Sequence, residues 1–114
     1  MTIKNLLLEV GITPEYLGFH YLEKNIEIVK KNFEEEQYSF KYTAIYYVIA
    51  KELGSTASRV ERAMRHAVEV AFNRPSPKLK ELFGRYTDPH SGKVSLSCFI
   101  AVLANYLIET ETND

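Results

Sequence analysis

The chain has 114 residues, of which 46% are hydrophobic and 25% are charged, and its formal net charge is -1 at pH 7. A chain of this length and composition is expected to form one globular domain, residues 1–114, that buries most of its surface without disulfides or metals. The longest uninterrupted apolar run, Ala44 to Ala50, is too short to cross a bilayer, and the N-terminal NLLLEV is too short for a secretory signal. We therefore expect a cytoplasmic domain that makes no contact with a membrane.

Side chains that carry catalysis or bind metals are few and scattered. The single cysteine, Cys98, excludes an intrachain disulfide and lies in an apolar-periodic segment that suits a small core residue. His20, His66 and His90 lack the spacing of metal ligands. The sequence also shows no nucleophile–base pair and no glycine-rich phosphate loop. It therefore predicts a protein that is not an enzyme and uses no metal, cofactor or small-molecule substrate.

The first third of the chain predicts two helices joined by a turn. Apolar residues recur at helical spacing in both, and glycine, proline and acidic residues interrupt the pattern between and after them. The elements, in chain order, are a helix from Ile3 to Val10, a turn from Gly11 to Pro14, a helix from Tyr16 or Gly18 to about Asn32, and an acidic connection from Glu34 to Ser39.

The middle of the chain has the spacing of a helix-turn-helix. A helix from Tyr42 to Leu53 is followed by Gly54, where a left-handed turn is favourable because glycine has no Cβ. Ala50 is small enough for two crossing helices to approach closely, while Ile49 and Leu53 are expected to hold this helix to the core. The clustered tyrosines of YTAIYYV can stack on single-stranded bases, but their helical context favours packing against neighbouring helices.

The second helix of this motif is expected from Thr56 to Asn73. Ser55 and Thr56 stand where a cap is needed, and Ser58 with Glu61 has the spacing of a capping box. At 3.6 residues per turn, one side of the helix is apolar and should pack inward. The inward residues are Val60, Ala63, Met64, Ala67 and Ala71, with Val68 and Val70 at the margins.

The opposite side of this helix is polar and carries three arginines. Its centre is Ser58, Arg62, Arg65 and Glu69, and its flanks are Arg59, Glu61 and His66. Arginine can donate two hydrogen bonds to guanine, glutamate can accept one from a cytosine amine, and serine can contact a base or a phosphate. On an isolated helix such a face would be merely solvated, with Glu61 and Arg65 as an ordinary stabilising pair. The preceding helix and glycine turn favour DNA reading instead, although a helix-turn-helix can also bind protein.

Two shorter helices complete an all-α prediction with six helices. One runs from Pro77 through Phe83, and the last opens near Ser95 or Ser97 and continues to about Ile108. The loop between them, GRYTDPHSGKV, has the composition of a plain connector, which we favour. The alternative is a wing that contacts the DNA backbone through Arg85, His90 or Lys93.

Charge is distributed unevenly along the chain. Residues 1–40 carry a net charge of -3, residues 41–93 carry +5, and residues 94–114 carry -3. Positive charge is thus concentrated around the second helix of the motif, which suits a nucleic-acid partner. The candidate phosphate contacts are Thr56, Arg59, His66, Lys41, Lys51 and Lys93.

Four stretches carry a family resemblance: GITPEYLGFHYLEKNIEIV, STASRVERAMRHAVEVAFNR, LFGRYT and SCFIAVLANYL. In them the chain resembles the C-terminal effector domain of the stage-zero sporulation protein A family, the response regulators that commit spore-forming Firmicutes to sporulation. The resemblance implies a compact six-helix domain whose fourth helix reads a box containing GTCGA, usually bound by two domains head to tail. It implies Glu61, Arg62 and Arg65 as the principal base readers, with Ser58 and His66 near bases or phosphates.

The chain also departs from this family's pattern. The receiver domain that normally precedes the module, with its phosphoacceptor aspartate, is not expected within these residues, so the chain is either an excised domain or a stand-alone relative. Its acidic end, ETETND, differs from the basic end of the family, which argues against DNA contact by the C-terminus.

Two functional interpretations follow. The leading one is a sequence-specific regulator of transcription that binds double-stranded DNA, inserts helix 56–73 into the major groove and pairs head to tail on tandem sites. The alternative is a degenerate effector domain that acts as a protein-interaction module, pairing with a full-length regulator or with RNA polymerase without reading DNA.

Overall fold

Every regular element in the computed structural model, which describes residues 1–88 and 92–112, is an α-helix. The helices are α1 (Ile3–Glu9), α2 (Leu17–Glu34), α3 (Tyr42–Leu53), α4 (Ala57–Asn73), α5 (Pro77–Phe83) and α6 (Leu96–Thr112). The all-α prediction is confirmed for the described residues, and the bounds of α3 and α5 agree with those expected. The largest difference is α6, which continues past the predicted end at Ile108.

Helix α2 is the central element, and its most extensive contacts are with α6 and α4. It can pack against several helices because its buried residues do not lie on a single narrow stripe. They are Gly18, Phe19, Tyr21, Leu22, Asn25, Ile26 and Val29. Helix α4 therefore packs against the central helix of the fold rather than against a peripheral one.

Helices α2 and α4 approach each other closely at Gly18. A Cβ on this glycine would collide with the carbonyl oxygen of Ala63 and would lie 2.8 Å from the Cβ of Ala67. Carbon atoms in favourable contact are about 3.5–4.0 Å apart, so the crossing has room only for glycine. Further along the same two helices, Asn25 Nδ2 donates to Met64 Sδ at 3.6 Å. The middle of α4 is thus fixed against α2.

Three aromatic rings hold the C-terminal part of α4. The ring of Phe72 forms T-shaped pairs with Phe83 of α5 and Phe99 of α6, at centroid distances of 5.9 and 6.4 Å. Phe83 and Phe99 are stacked, with centroids 5.0 Å apart. Aromatic pairs contribute about 0.5–1.5 kcal/mol each beyond the area they bury. Helix α4 is therefore anchored at its middle by α2 and at its end by α5 and α6.

Gly54 ends α3 in the left-handed conformation, with φ of 66° and ψ of 40°. The amide of Ser55 then donates to the carbonyl of Ala50 at 2.9 Å, which closes the helix end. The prediction that Leu53 holds α3 to the core is wrong, because this side chain is 51% exposed. Leu53 has nearly the same helical phase as the buried Ile49, but it is the last residue of α3, and no neighbouring element covers it.

Candidate nucleic-acid interface

Thr56 caps the N-terminus of α4. Its backbone is extended, and its Oγ1 accepts a hydrogen bond from the amide of Arg59 at 3.2 Å. Of the two residues placed to cap the helix, Thr56 and not Ser55 therefore fills this role. The predicted capping box of Ser58 with Glu61 is wrong, because Ser58 already lies inside the helix. The side chain of Ser58 is exposed instead.

Helix α4 separates its apolar and polar residues. The buried residues are Val60, Met64, Ala67, Val68 and Ala71; all were expected to face inward except Val68, which was placed at the margin of that face. Ala63 is only partly buried, although it too was placed inward. Complete burial of a valine or methionine side chain contributes roughly 1.5–3 kcal/mol. The inner face therefore holds the helix in place and leaves its outer face free to be polar.

The outer face of α4 presents the predicted reading residues to solvent. Exposed side chains are Ser58, Arg59, Arg62, Arg65, His66 and Glu69, and Glu61 is partly exposed. These residues extend over about 16 Å of helix. The major groove of B-DNA is about 12 Å wide and admits an α-helix. The dimensions of this face are therefore compatible with major-groove insertion.

Two of the predicted base readers are paired with each other. Arg65 Nη2 donates to Glu61 Oε1 at 2.5 Å, across one turn of α4. The two side chains are 53% and 41% exposed, so the pair contributes only about 0.3–0.5 kcal/mol. Arg62, by contrast, forms no ion pair within residues 1–88 and 92–112. Arg62 can thus extend into solvent while Arg65 is held beside Glu61.

The start of α2 borders the outer face of α4. Tyr16, the N-cap residue of α2, has its ring centroid 6.0 Å from that of His66. Leu17 follows it and is 58% exposed. His66 therefore lies at the flank of the face, between the arginines and α2.

The candidate phosphate contacts outside α4 lie at different ends of the interface. Lys41 is the N-cap residue of α3 and lines an open groove together with Arg65. Lys93 lines a cavity of about 90 Å³, also with Arg65. Lys51 lies in the last turn of α3, roughly 15 Å along that helix from Lys41. The fold therefore brings Lys41 and Lys93 to Arg65 and leaves Lys51 toward the N-terminal end of α4.

The groove beside Arg65 was not expected from the sequence. It lies between the N-terminus of α3, the N-terminus of α6 and the side of α4, and has a volume of about 430 Å³. We call it the α3–α6 groove. Its polar lining residues are Lys41, Tyr42, Thr43, Tyr46, Glu61, Arg65, Ser95 and Ser97. These come from three distant stretches of chain, and the only sequence signal for the groove is the helix-start serine at 95.

The loop between α5 and α6 is described up to Asp88 and again from Gly92. The amide of Asp88 donates to the carbonyl of Lys93, and the amide of Gly92 donates to the carbonyl of Asp88, each at 2.7 Å. Arg85 lines a different groove, between α2, α5 and α6. Of the three residues of the wing interpretation, Lys93 thus lies beside α4, Arg85 does not, and His90 lies outside the described residues.

Among residues 1–88 and 92–112, no group of three or more His, Cys, Asp or Glu side chains is arranged to hold a metal ion. Cys98 is partly exposed near the start of α6, and burial raises the pKa of its thiol. Within these described ranges, no helix combines the length and the apolar character needed to cross a bilayer.

The chain matches a known protein family over most of its length. Residues 3–107 match the family model described as "Sporulation initiation factor Spo0A C terminal". The match includes α1 to α5 and most of α6, and therefore the entire exposed face of α4. It confirms the family resemblance drawn from the sequence. The chain belongs to the family of C-terminal domains of the sporulation initiation factor Spo0A, the DNA-binding effector domains of a sporulation transcription regulator.

Proposed function

We propose that this domain recognises specific double-stranded DNA by inserting α4 into the major groove, as the second helix of a helix-turn-helix formed with α3. The observation that best supports this proposal is that α4 packs against the core on one side and exposes Ser58, Arg62 and Arg65 on the other. The same helix is fixed on its other side at Gly18. A helix that is already rigid loses little conformational freedom when its side chains meet base edges.

Each proposed base contact follows from side-chain chemistry. Arg62 and Arg65 donate to O6 and N7 of guanines, and Glu61 accepts from the amino group of a cytosine. Ser58, in the first turn of α4, contacts a base or a phosphate. We propose a box containing GTCGA as the target, which supplies guanine and cytosine at neighbouring positions, and two domains bound head to tail on tandem boxes.

Backbone contacts would set the register of the helix on the duplex. The proposed residues surround α4 on several sides. They are Thr56 and Arg59 at its start, His66 at its flank, Lys41 and Lys93 near Arg65, and Lys51 in the last turn of α3. Their contribution should be independent of base sequence and should weaken as salt is raised.

Replacement of Arg62 by alanine tests the proposed reading. Binding is measured by fluorescence anisotropy with a duplex that carries two tandem GTCGA boxes and with a scrambled duplex, at two salt concentrations. The wild type should prefer the boxes, and Arg62→Ala should lose about 1–3 kcal/mol on them and much less on scrambled DNA. Arg74→Ala is the matched control, because Arg74 is exposed beyond the end of α4. Equal losses on both duplexes for Arg62→Ala would exclude base reading by this residue.

One observation favours the second candidate, a protein-interaction module that binds RNA polymerase or a full-length regulator. Tyr47 and Val48 are neighbours on α3 and are 69% and 49% exposed, and exposed apolar side chains that lie close together often mark protein contacts. This function predicts no duplex preference at either salt concentration. It also predicts that binding to the partner protein survives Arg62→Ala.

A further inference from the structure

Glu69 is the one charged residue on the outer face of α4 to which the proposed reading of DNA gives no contact. Its side chain is exposed, and it forms no ion pair with any residue of the ranges 1–88 and 92–112. An unpaired carboxylate on a face that meets DNA is repelled by the phosphates and weakens binding to every sequence. Glu69 therefore needs a positively charged partner in the proposed complex.

Arg65 lies between two carboxylates on the same helix. Glu61 precedes it by four residues and Glu69 follows it by four, so each is about one turn, or about 6 Å along the axis, from Arg65. In the free domain Arg65 Nη2 donates to Glu61. This choice agrees with the general preference on helices, where an acid four residues before a base is the stronger arrangement. Glu69 is thus a second acceptor for the same guanidinium.

Arg65 and Glu69 also line the same cavity, the one of about 90 Å³ beside α4. Arg65 lines the α3–α6 groove as well, together with Glu61, so its side chain borders both spaces. Among the described residues that line the cavity, Glu69 is the only acidic one. The apolar part of the lining is Val68, Phe72, Val94 and Leu96. Apolar surroundings lower the local dielectric constant and strengthen an ion pair formed there.

We infer that Glu69 is a positioning residue for Arg65. When Glu61 accepts from a cytosine, Glu69 accepts from one edge of the Arg65 guanidinium, and the other edge meets a guanine. The guanidinium has five N–H donors, and guanine O6 and N7 use two of them, so donors remain for a carboxylate. A side chain held in this way loses less conformational freedom on binding. The inference rests on the proposed DNA-binding function and adds a residue that affects sequence preference without touching a base.

Replacement of Glu69 by alanine gives opposite results for positioning and for simple repulsion. If Glu69 positions Arg65, the variant should bind the tandem-box duplex about fivefold more weakly and the scrambled duplex no more weakly than the wild type. Glu27→Ala is the matched control, because Glu27 is exposed on α2 and also forms no ion pair within the described ranges. It should bind both duplexes like the wild type. Tighter binding of Glu69→Ala to both duplexes would overturn the inference.

The effect of Glu69 should depend on Arg65. In an Arg65→Ala background, Glu69→Ala should not weaken binding to the tandem boxes any further, because no guanidinium remains to be positioned. A fivefold loss that persists in this background would show that Glu69 contacts the DNA by itself, and it would reject a positioning role.

A measurement without DNA separates this inference from the proposed function. Glu61→Gln removes the first carboxylate, as its engagement by a cytosine does, and Arg65 should then pair with Glu69. Adding Glu69→Ala should therefore shift the Arg65 Nε–H signal in the NMR spectrum of Glu61→Gln, and should hardly shift it in the wild type. The absence of this dependence on Glu69 contradicts the inference.

The two experiments together assign each failure. The NMR dependence on Glu69 without a duplex preference in the wild type would reject the DNA-binding function and keep the exchange of partners by Arg65. A wild-type preference for the tandem boxes that Glu69→Ala leaves unchanged would reject the positioning role alone.

Discussion

At Gly18 the backbone of α2 lies directly against the carbonyl group of Ala63, and there is no room for a methyl group. Gly18→Ala must therefore push α2 and α4 apart or force their backbones to shift. We expect the free energy of unfolding to fall by about 2–3 kcal/mol. This loss should appear even though alanine is favoured over glycine in a helix by about 1 kcal/mol. Urea unfolding monitored by circular dichroism measures the change.

Gly84→Ala is the control for this substitution. Gly84 is exposed at the end of α5, its conformation is right-handed, and a Cβ there would meet only the carbonyl oxygen of Lys80 at 3.1 Å. We expect a change within about 0.5 kcal/mol. Similar results for the two variants would show that the α2–α4 crossing tolerates a methyl group.

At the level of single elements, the C-terminus of α2 carries a strained residue. The amide of Gln37 donates to the carbonyl of Asn32 at 2.8 Å, and Glu36 adopts a left-handed conformation with φ of 57°. This is a Schellman-type ending, in which glycine is the usual left-handed residue. Glu36→Gly should therefore raise the free energy of unfolding by about 0.5–1 kcal/mol, after allowance for the greater freedom of glycine in the unfolded chain.

Glu35→Gly removes the same charge one residue earlier. Glu35 has a φ of -90°, which glutamate adopts without strain, so this substitution should destabilise the protein. Opposite signs for the two variants in thermal or urea unfolding are the expected result. A loss of stability for both would show that the left-handed conformation is not what limits stability at this helix end.

The sequence predicted the bounds of some helices accurately, but it did not predict the contacts and exposure that depend on neighbouring elements. The bounds of α3 and α5 agreed because local signals end and begin them, Gly54 in one case and Pro77 in the other. Exposure of Leu53 could not be read from helical period, since it depends on what lies beyond the last turn. The steric role of Gly18 depends on which helix crosses it. The α3–α6 groove combines residues from three stretches, so no spacing in the chain reveals it.

For the molecule as a whole, three groups whose pKa values are raised by burial make stability sensitive to alkaline pH. Burial raises the pKa of Tyr42, Tyr46 and Cys98 above their ordinary values of 10.0, 10.0 and 9.0. The folded state therefore holds these protons more tightly than the unfolded state. The resulting stability is complete below the ordinary values and is lost as pH rises through the raised ones.

We expect the free energy of unfolding to be nearly constant from about pH 7 to about pH 8.5 and to fall above about pH 9. Urea unfolding across this range measures the trend. Tyr46→Phe should show a shallower decline, because one of the contributing groups is removed. Stability that increases above pH 9, or a steeper decline in the variant, would contradict this account.

The contact between Glu61 and Arg65 gives the free domain a resting state for one of its proposed base readers. On DNA of the wrong sequence, Arg65 gains little by leaving its intramolecular partner, since a single acceptor merely replaces the carboxylate. A guanine offers two acceptors to the same guanidinium, and the exchange becomes favourable. Because the pair contributes only about 0.3–0.5 kcal/mol, Arg65 would leave it at little cost in the proposed complex, so the pair sets where the guanidinium starts and not whether it reaches a guanine.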